Sequence, residues 1–580
     1  MPGNIYVFVR RGNVGGTILL ENIDAVNTVL KRQTQITVED PNAASKDSEY
    51  FKTAFNSVSE VKKNGELYAE TIVAEGATLL KNDGALPLAE GAKVSLFSTS
   101  SVDPIVTGTG SGGSSGNIIS LKQGLEEAGL QVNAELWDWY KENLGTYGKQ
   151  KSGGTVGTTW TIGDAPCNQI PTAAKTQKVD AAVFVLSRSG GEGIDSTIYN
   201  GDKSDFGDGN YLKLSPTERD VLKNLKTLKG TAFNHIIVLL NFANQVQLDF
   251  VEEYGVDALL WVGNYGEVGA YAIGDLLAGN VNPSGRLADT FWREHWLNPV
   301  HANFATLIDT TNNASQWNMS TNSKSVRSIV YQEGVYMGYR YTETRYEDKI
   351  LGTEKTGDFD YSAAFAYPFG CGISYTDFAY SDFSAARVSA SGKTEAYYNV
   401  SVKVTNTGSR AGKEVVQLYA QKPYTDYDKQ YGIEKPAVEL VGFAKTKTIK
   451  PGDSETVNIT VNERDLATYD SYNARTYILE DGRYYLTVAK DAHAAVNNVL
   501  AAKEKTTGDG MIAAGSKNMV YSELKQYSDE LYSHSAVNTD VEICAYHKQR
   551  KPRHAIRRKD RYDKGGRNGN VYLYARVHNA

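Results

Sequence analysis

Three patterns predict an α/β sandwich domain with a mostly parallel sheet, followed by a smaller antiparallel β-sandwich. Short apolar runs at 94–97, 181–186, 235–240 and 258–262 alternate with stretches of helical spacing, as βαβ units do. The runs are continuously apolar, the signature of strands covered on both faces. From about residue 395 the apolar period falls to two, which half-buried antiparallel strands require. A chain of 580 residues allows three or four domains of roughly 100 to 200 residues, each able to bury a core.

The elements follow in order. Residues 1–60 form a polar lead. Residues 61–79 show helical spacing through Leu67, Ile72, Val73, Ala77 and Leu80, ending at the turn Asp83-Gly84. The apolar strands come next, with a helical pattern over 121–128 between the first two, so the α/β domain is expected over 61–390. Tyr398-Asn399-Val400-Ser401-Val402-Lys403-Val404-Thr405, Val415-Val416-Gln417-Leu418-Tyr419 and Thr456-Val457-Asn458-Ile459-Thr460-Val461 alternate and are each followed by turn residues. They predict a sandwich of roughly 100 residues over 391–492. Residues 493–540 read as helical or linker-like.

Composition narrows the class. Hydrophobic content of 41% and charged content of 22% describe an ordinary globular chain. Thirty-seven tyrosines are many for this length, and a ring with a polar tip suits carbohydrate-handling surfaces and β-sandwich exteriors alike. No stretch reaches the roughly 18 apolar residues of a membrane span, so no membrane partner is expected. Cys167, Cys371 and Cys544 are odd in number and far apart, which indicates neither a disulfide framework nor a metal cluster. The start, Met1-Pro2-Gly3-Asn4-Ile5, has no export signature. A cytoplasmic location is the expectation.

Charge is unevenly spread. Residues 541–580 hold eleven Lys/Arg against three acids, leaving a net of -15 on the first 540 residues within the total of -7. An acidic body opposes polyanion binding, and the tail shows no amphipathic period, so no nucleic-acid partner is expected. The abrupt change marks 541–580 as a disordered or foreign terminus.

The most informative stretch is Val179-Asp180-Ala181-Ala182-Val183-Phe184-Val185-Leu186, opening into Ser187-Arg188-Ser189-Gly190-Gly191-Glu192-Gly193-Ile194-Asp195. A strand that ends in a glycine-rich loop presents one carboxylate, Glu192, outside the carboxyl edge of the sheet, where ligands of open α/β folds gather. Taken alone, the loop reads first as an acidic surface turn. The run Thr107-Gly108-Thr109-Gly110-Ser111-Gly112-Gly113-Ser114-Ser115-Gly116 lacks the ending of a phosphate loop, so no nucleotide is expected. His235 reads as a satisfied interior residue. No cofactor and no metal are indicated.

Five further motifs carry a resemblance. Glu75-Gly76-Ala77-Thr78-Leu79-Leu80-Lys81-Asn82 leads to Leu86-Pro87-Leu88. Asn280-Val281-Asn282-Pro283-Ser284-Gly285-Arg286-Leu287 precedes Thr290-Phe291-Trp292. Residues 331–341 and 367–375 are tyrosine-rich, and Val404-Thr405-Asn406-Thr407-Gly408 precedes Ala411-Gly412-Lys413-Glu414-Val415. In this order they resemble glycoside hydrolase family 3, the β-glucosidase family. The resemblance implies that the second domain is fibronectin type III-like and that Glu192 is the general acid/base of a retaining hydrolase of terminal β-D-glucosides, with a carbohydrate as partner. Such chemistry needs a second carboxylate about 5 Å away as nucleophile. In this family it is an aspartate on a TIM barrel, in a Ser/Thr-Asp-Trp motif. Here the sole Asp-Trp pair is Asp138-Trp139, preceded by Trp137 in a helical stretch, while Asp205 reads as a solvated loop charge. The chain therefore resembles members with reversed domain order, the barrel cut away and 493–540 a linker or its start. Such a fragment is expected to be inactive alone. The alternative is a non-catalytic carbohydrate-binding or structural module. Tyrosines of 331–341 and 367–375 read either as sugar platforms or as packing between domains.

Overall fold

A computed structural model describes residues 54–55, 57–108, 116–152, 159–190, 211–300, 307–309, 326–328, 333–353, 359–391 and 395–526. The chain divides into two compact units, 1–67 and 68–580. The described part of the first is chiefly the start of helix α1 (Val58–Gly76), where the Ser57 hydroxyl accepts from the Glu60 backbone N–H at 3.1 Å.

In the second unit, strands β1 (Thr78–Asn82), β2 (Lys93–Phe97), β3 (Gln131–Val132), β4 (Ala181–Ser187), β5 (His235–Asn241) and β6 (Ala258–Trp261) form one sheet. Its order is β1-β6-β5-β4-β2-β3, parallel throughout except for β1 against β6. The expected mostly parallel α/β sheet is present. The helical spacing read through 79 is corrected. The helix stops at Gly76, and Leu79, whose apolar neighbours satisfied a helical period, pairs with Leu260 in β1.

Strand β4 shows why its sequence is continuously apolar. Ala182, Phe184 and Leu186 enter one core cluster while Ala181, Val183 and Val185 enter the other. Residues of α3 (Ala134–Glu142) and α4 (Pro216–Leu228) cover the first face, and α2 (Leu121–Glu127) and α5 (Ala270–Ala278) the second. Each large apolar side chain buried this way contributes about 1.5–3 kcal/mol. Helices α2 and α5 meet through glycine. A Cβ on Gly124 would lie 2.1 Å from the Ala270 carbonyl oxygen, and one on Gly274 as close to that of Gly124.

The second domain is an antiparallel sandwich. One sheet is β9 (Phe378–Val388), β10 (Tyr397–Asn406) and β13 (Ser454–Asn462), after the short pair β7 (Phe291–Trp292) and β8 (Phe365–Tyr367) and helix α6 (Tyr339–Leu351). The other is ordered β12 (Glu439–Lys445), β11 (Val415–Gln421), β14 (Gly482–Ala489) and β15 (Val520–Lys525). Alternate residues Tyr398, Val400, Val402 and Val404 of β10 meet Val416, Leu418, Leu486 and Val488 of the facing sheet in one core.

Strand pairing runs past the expected bounds of 391 and 492. Strand β9 pairs with β10 along its length, from Phe378 opposite Asn406 to Val388 opposite Tyr397. Strand β15 completes the other sheet, with Lys525 opposite Gly482. Between them α7 (Ala492–Ala502) buries Ala495, Val496, Val499 and Leu500 against Tyr346, Ile350 and Trp292. Up to 526, therefore, the stretch expected to be linker or barrel start belongs to the sandwich. Residues 527–540 and the basic tail lie outside the described residues. Among the described residues, no helix is long and apolar enough to cross a membrane, and no three His, Cys, Asp or Glu side chains are grouped to hold a metal.

The added strands are tied by charge. Glu463 is 1% exposed and receives Arg387 of β9 through two bonds of 2.9 and 2.6 Å, and Lys525 of β15 at 3.0 Å. Burial alone would raise the Glu463 carboxyl. The two cations outweigh burial and hold it below the ordinary carboxylate range. A lowered native value stabilises the fold above that range, and the stabilisation is lost as the pH falls through it. Glu463→Gln should therefore lower Tm at pH 7, with the gap from the wild type closing below about pH 4, measured by thermal unfolding across pH.

Candidate functional site

The carboxyl ends of β4 and β5 are joined through one buried amide. Asn241 Oδ1 accepts from the Ser187 hydroxyl at 2.6 Å and the Ile105 N–H at 2.9 Å, and its Nδ2 donates to the carbonyls of Ile105 and Gly263 at 2.8 and 2.7 Å. All four hydrogen-bonding positions of the amide are filled, so the segments leaving β2, β4, β5 and β6 share a fixed floor.

On this floor stands Arg188, the first residue after β4 and 1% exposed. Its Nε donates to the Tyr211 carbonyl at 2.8 Å. Nη1 donates to the Ser187 carbonyl and Glu218 Oε1, both at 2.7 Å. Nη2 donates to the Lys213 carbonyl at 2.6 Å and to Glu218 Oε2 at 2.8 Å. Each of the five guanidinium protons has an acceptor. Glu218 is itself set in place by the capping box of α4, where its Oε2 accepts from the Ser215 N–H at 2.7 Å and the Ser215 hydroxyl accepts from its own N–H at 3.1 Å. The Ser189 N–H donates to the Tyr211 hydroxyl at 2.6 Å. The chain leaving at 190 and the chain returning at 211 are thereby stitched together.

Glu192 and Asp205 fall between these two feet and lie outside the described residues. So do residues 109–115 of the glycine-rich run, although at its end the Gly116 N–H donates to Glu267 Oε1 at 2.7 Å. The half-exposed Trp160 sits beside the outgoing foot, its N–H donating to the Ser189 hydroxyl at 3.3 Å and its ring 5.2 Å from Lys149 Nζ. Asp138 is exposed on α3 next to Trp139. His235 is half-buried at the start of β5, the end of the strand opposite Asn241.

The sequence reading missed Asp164. It is half-buried beside the end of β2, with its carboxyl turned inward, and its Oδ1 accepts from the backbone N–H groups of Thr99 at 3.1 Å and Ala165 at 2.8 Å. Burial pushes its carboxyl up to about 7 against those two bonds, and the charge of Glu218 pushes the same way. The preceding Ser98 adopts a left-handed φ of 83° without being glycine. No motif flags an aspartate in Gly163-Asp164-Ala165.

The tyrosine-rich motifs form a seam between the two domains of the second unit. Tyr339 stacks on Phe369 with centroids 4.4 Å apart, the Tyr336 hydroxyl donates to Glu434 Oε2 at 2.6 Å, and the Tyr375 hydroxyl donates to the Leu276 carbonyl at 2.8 Å. The other motifs meet there too. Asn282 Oδ1 accepts from the Ser374 hydroxyl at 2.7 Å and the Tyr375 N–H at 2.8 Å. Arg286 pairs with Glu414 at 2.8 Å, and Glu75 receives both Lys413 and Lys445. Of the two readings left open, packing between domains holds for Tyr336, Tyr339 and Tyr375.

Comparison with known proteins agrees with this architecture. Residues 77–339 match the glycosyl hydrolase family 3 C-terminal domain, and 414–492 match the fibronectin type III-like domain. The chain is 30% identical over 434 residues to a β-glucosidase of Ruminococcus albus, covering 74% of this chain and 39% of that protein. It is 29% identical to β-glucosidase A of Butyrivibrio fibrisolvens, covering 74% of this chain and 50% of that one. Among solved structures, β-glucosidase 3B of Thermotoga neapolitana in complex with glucose matches with a TM-score of 0.57 at 31% identity, covering 74% of this chain and 53% of that chain. The chain spans half or less of the length of these two curated relatives.

The raised value of Asp164 has a sign that thermal unfolding reads. A carboxyl whose native value exceeds its ordinary 3.8 favours the fold most at low pH, and that contribution is lost as the pH rises toward about 7. Asp164→Asn, which cannot ionise, should gain Tm relative to the wild type between about pH 4 and pH 8. A pH-independent difference would mean that Asp164 does not titrate in this range.

Proposed function

The chain carries the C-terminal domain of glycosyl hydrolase family 3 followed by a fibronectin type III-like domain, and from that premise we propose that it is part of a retaining β-glucosidase with Glu192 as general acid/base. The observation that supports this most is the five-acceptor clamp of Arg188, because it fixes both ends of the segment that carries Glu192 at the carboxyl edge of the parallel sheet. A carboxyl that must first protonate a leaving oxygen and then take a proton from water needs such anchoring, since small displacements of a proton donor cost rate.

The nucleophile in this reading is an aspartate of a TIM barrel following the sandwich domain, and the greater length of the relatives leaves room for one. It attacks the anomeric carbon while the Glu192 carboxyl gives its proton to the departing oxygen. Water, deprotonated by the Glu192 carboxylate, then releases the sugar from the enzyme. Asp138, exposed on a helix, is a poor candidate for the nucleophile. We also propose a reducing compartment, resting on three cysteines that are odd in number and far apart in the sequence.

The 580-residue chain alone should show no appreciable hydrolysis of aryl β-glucosides, whereas turnover of about 1 to 10³ per second would place a nucleophile within it. Joined to a family barrel it should gain activity. Glu192→Ala should then slow substrates with poor leaving groups by about 10²- to 10⁴-fold. Activated aryl glucosides should lose less, with azide restoring part of the rate. Equal losses for all leaving groups without azide rescue, in folded protein, would remove Glu192 from this role.

A further inference from the structure

Three exposed tyrosines fall within nine consecutive positions of the second domain, on the hairpin of strands Thr468–Asp470 and Thr476–Ile478. Tyr469, Tyr472 and Tyr477 are 48%, 71% and 54% exposed. Tyr469 and Tyr477 are direct cross-strand partners, so both rings stand on one face of the hairpin, edge to face with centroids 5.2 Å apart and planes 68° apart. Tyr472 projects from the turn that joins them.

The turn is rigid. Buried Asp470 accepts at Oδ1 from the N–H groups of Tyr472 and Asn473 at 3.0 and 2.9 Å, and at Oδ2 from the Ala474 N–H at 2.8 Å and the Tyr427 hydroxyl at 2.6 Å. Asn473 Nδ2 returns to that hydroxyl at 2.8 Å. Burial would raise the Asp470 carboxyl, but these donors hold it below the ordinary range and so keep it ionised. Arg475 closes the turn at a left-handed φ of 53°. The rings are thus presented on a backbone ordered before any ligand arrives, and a tyrosine has only two side-chain torsions to fix.

We propose that this hairpin is a second carbohydrate-binding surface, remote in sequence from Glu192, which takes a neutral β-glucan chain against the exposed rings of Tyr469, Tyr472 and Tyr477. Along the chain the tyrosines are interspersed with the exposed Ser471, Asn473 and Arg475, and exposed rings accompanied by polar groups match a β-glucopyranose, which has C–H groups on its faces and hydroxyls around its rim. A wholly apolar partner would take the Ser471 hydroxyl and the Arg475 guanidinium out of water without offering them acceptors. The acidic body, net -15 before residue 541, opposes an anionic polymer and is indifferent to a neutral one. Glucose as the sugar rests on the proposed β-glucosidase reading, while the binding surface does not need Glu192.

Affinity electrophoresis of the full chain in gels containing hydroxyethyl cellulose tests this, with thermal unfolding to verify the fold of each variant. The wild type and Glu192→Ala should be retarded equally. Tyr472→Ala, at the turn, should weaken binding about threefold, and the triple Tyr469→Ala, Tyr472→Ala, Tyr477→Ala variant by about tenfold or more. Tyr469→Phe with Tyr477→Phe, which keeps both rings, should stay retarded. Absence of wild-type retardation, retardation untouched in the folded Tyr472→Ala and triple variants, or tyrosine-dependent self-association without glycan binding would each overturn the proposal. Binding by a Glu192→Ala protein whose barrel fusion fails the leaving-group test would leave this surface standing while the acid/base reading falls.

Discussion

Burying a guanidinium without water obliges the surrounding chain to supply five acceptors in one plane, and this requirement organises the edge of the sheet around Arg188. Local sequence gives only one acceptor, the Ser187 carbonyl. The rest come from the returning chain at Tyr211 and Lys213 and from the capped end of α4. The helix must therefore begin where its first turn brings Glu218 under the guanidinium, and the chain must re-enter beside the place where it left. Lysine at 188 would keep the charge but not the fork, leaving several of these acceptors without donors. Asn241 imposes the same rule one layer below.

A second network of this kind joins the domains. The sequence motifs that carry the family resemblance are, in space, the two sides of one seam, with Arg286 on Glu414, Asn282 bonded to Ser374 and Tyr375, and Glu75 between Lys413 and Lys445. Their side chains are occupied by one another. The seam joins the α/β domain to the sandwich through side chains that satisfy one another.

The central strands were legible because both their faces are buried, which leaves an unbroken apolar run in the sequence. The edge strands were not. Phe378–Val388 buries only Phe378 and otherwise mixes half-buried and exposed positions, and Val520–Lys525 buries only Lys525, so neither rises above a polar background. Both are strands because a neighbour with strong apolar alternation recruits them, a relation between distant segments that no local window contains. The site divides in the same way. Glu192 is a candidate from its glycine-rich setting and the family resemblance, whereas Arg188, quoted in the same loop, acquires its contacts from Tyr211 and Glu218, 23 and 30 residues away. Asp164 gave no signal because burial, which raises it, is a property of the fold.

The count of thirty-seven tyrosines pointed equally to sugar handling and to packing. Geometry separates the two. Tyr346, Tyr361 and Tyr419 are buried with their hydroxyls bonded to Asn497, Glu343 and Gln417, so their rings serve cores and their polar tips meet protein. At Tyr469, Tyr472 and Tyr477 the relation is inverted. The backbone is held from beneath by Asp470 and the rings face water, at a cost in exposed apolar area that the fold itself does not require. A residue type suited to both uses carries no functional information until the direction of its ring is known, and on this hairpin that direction is outward.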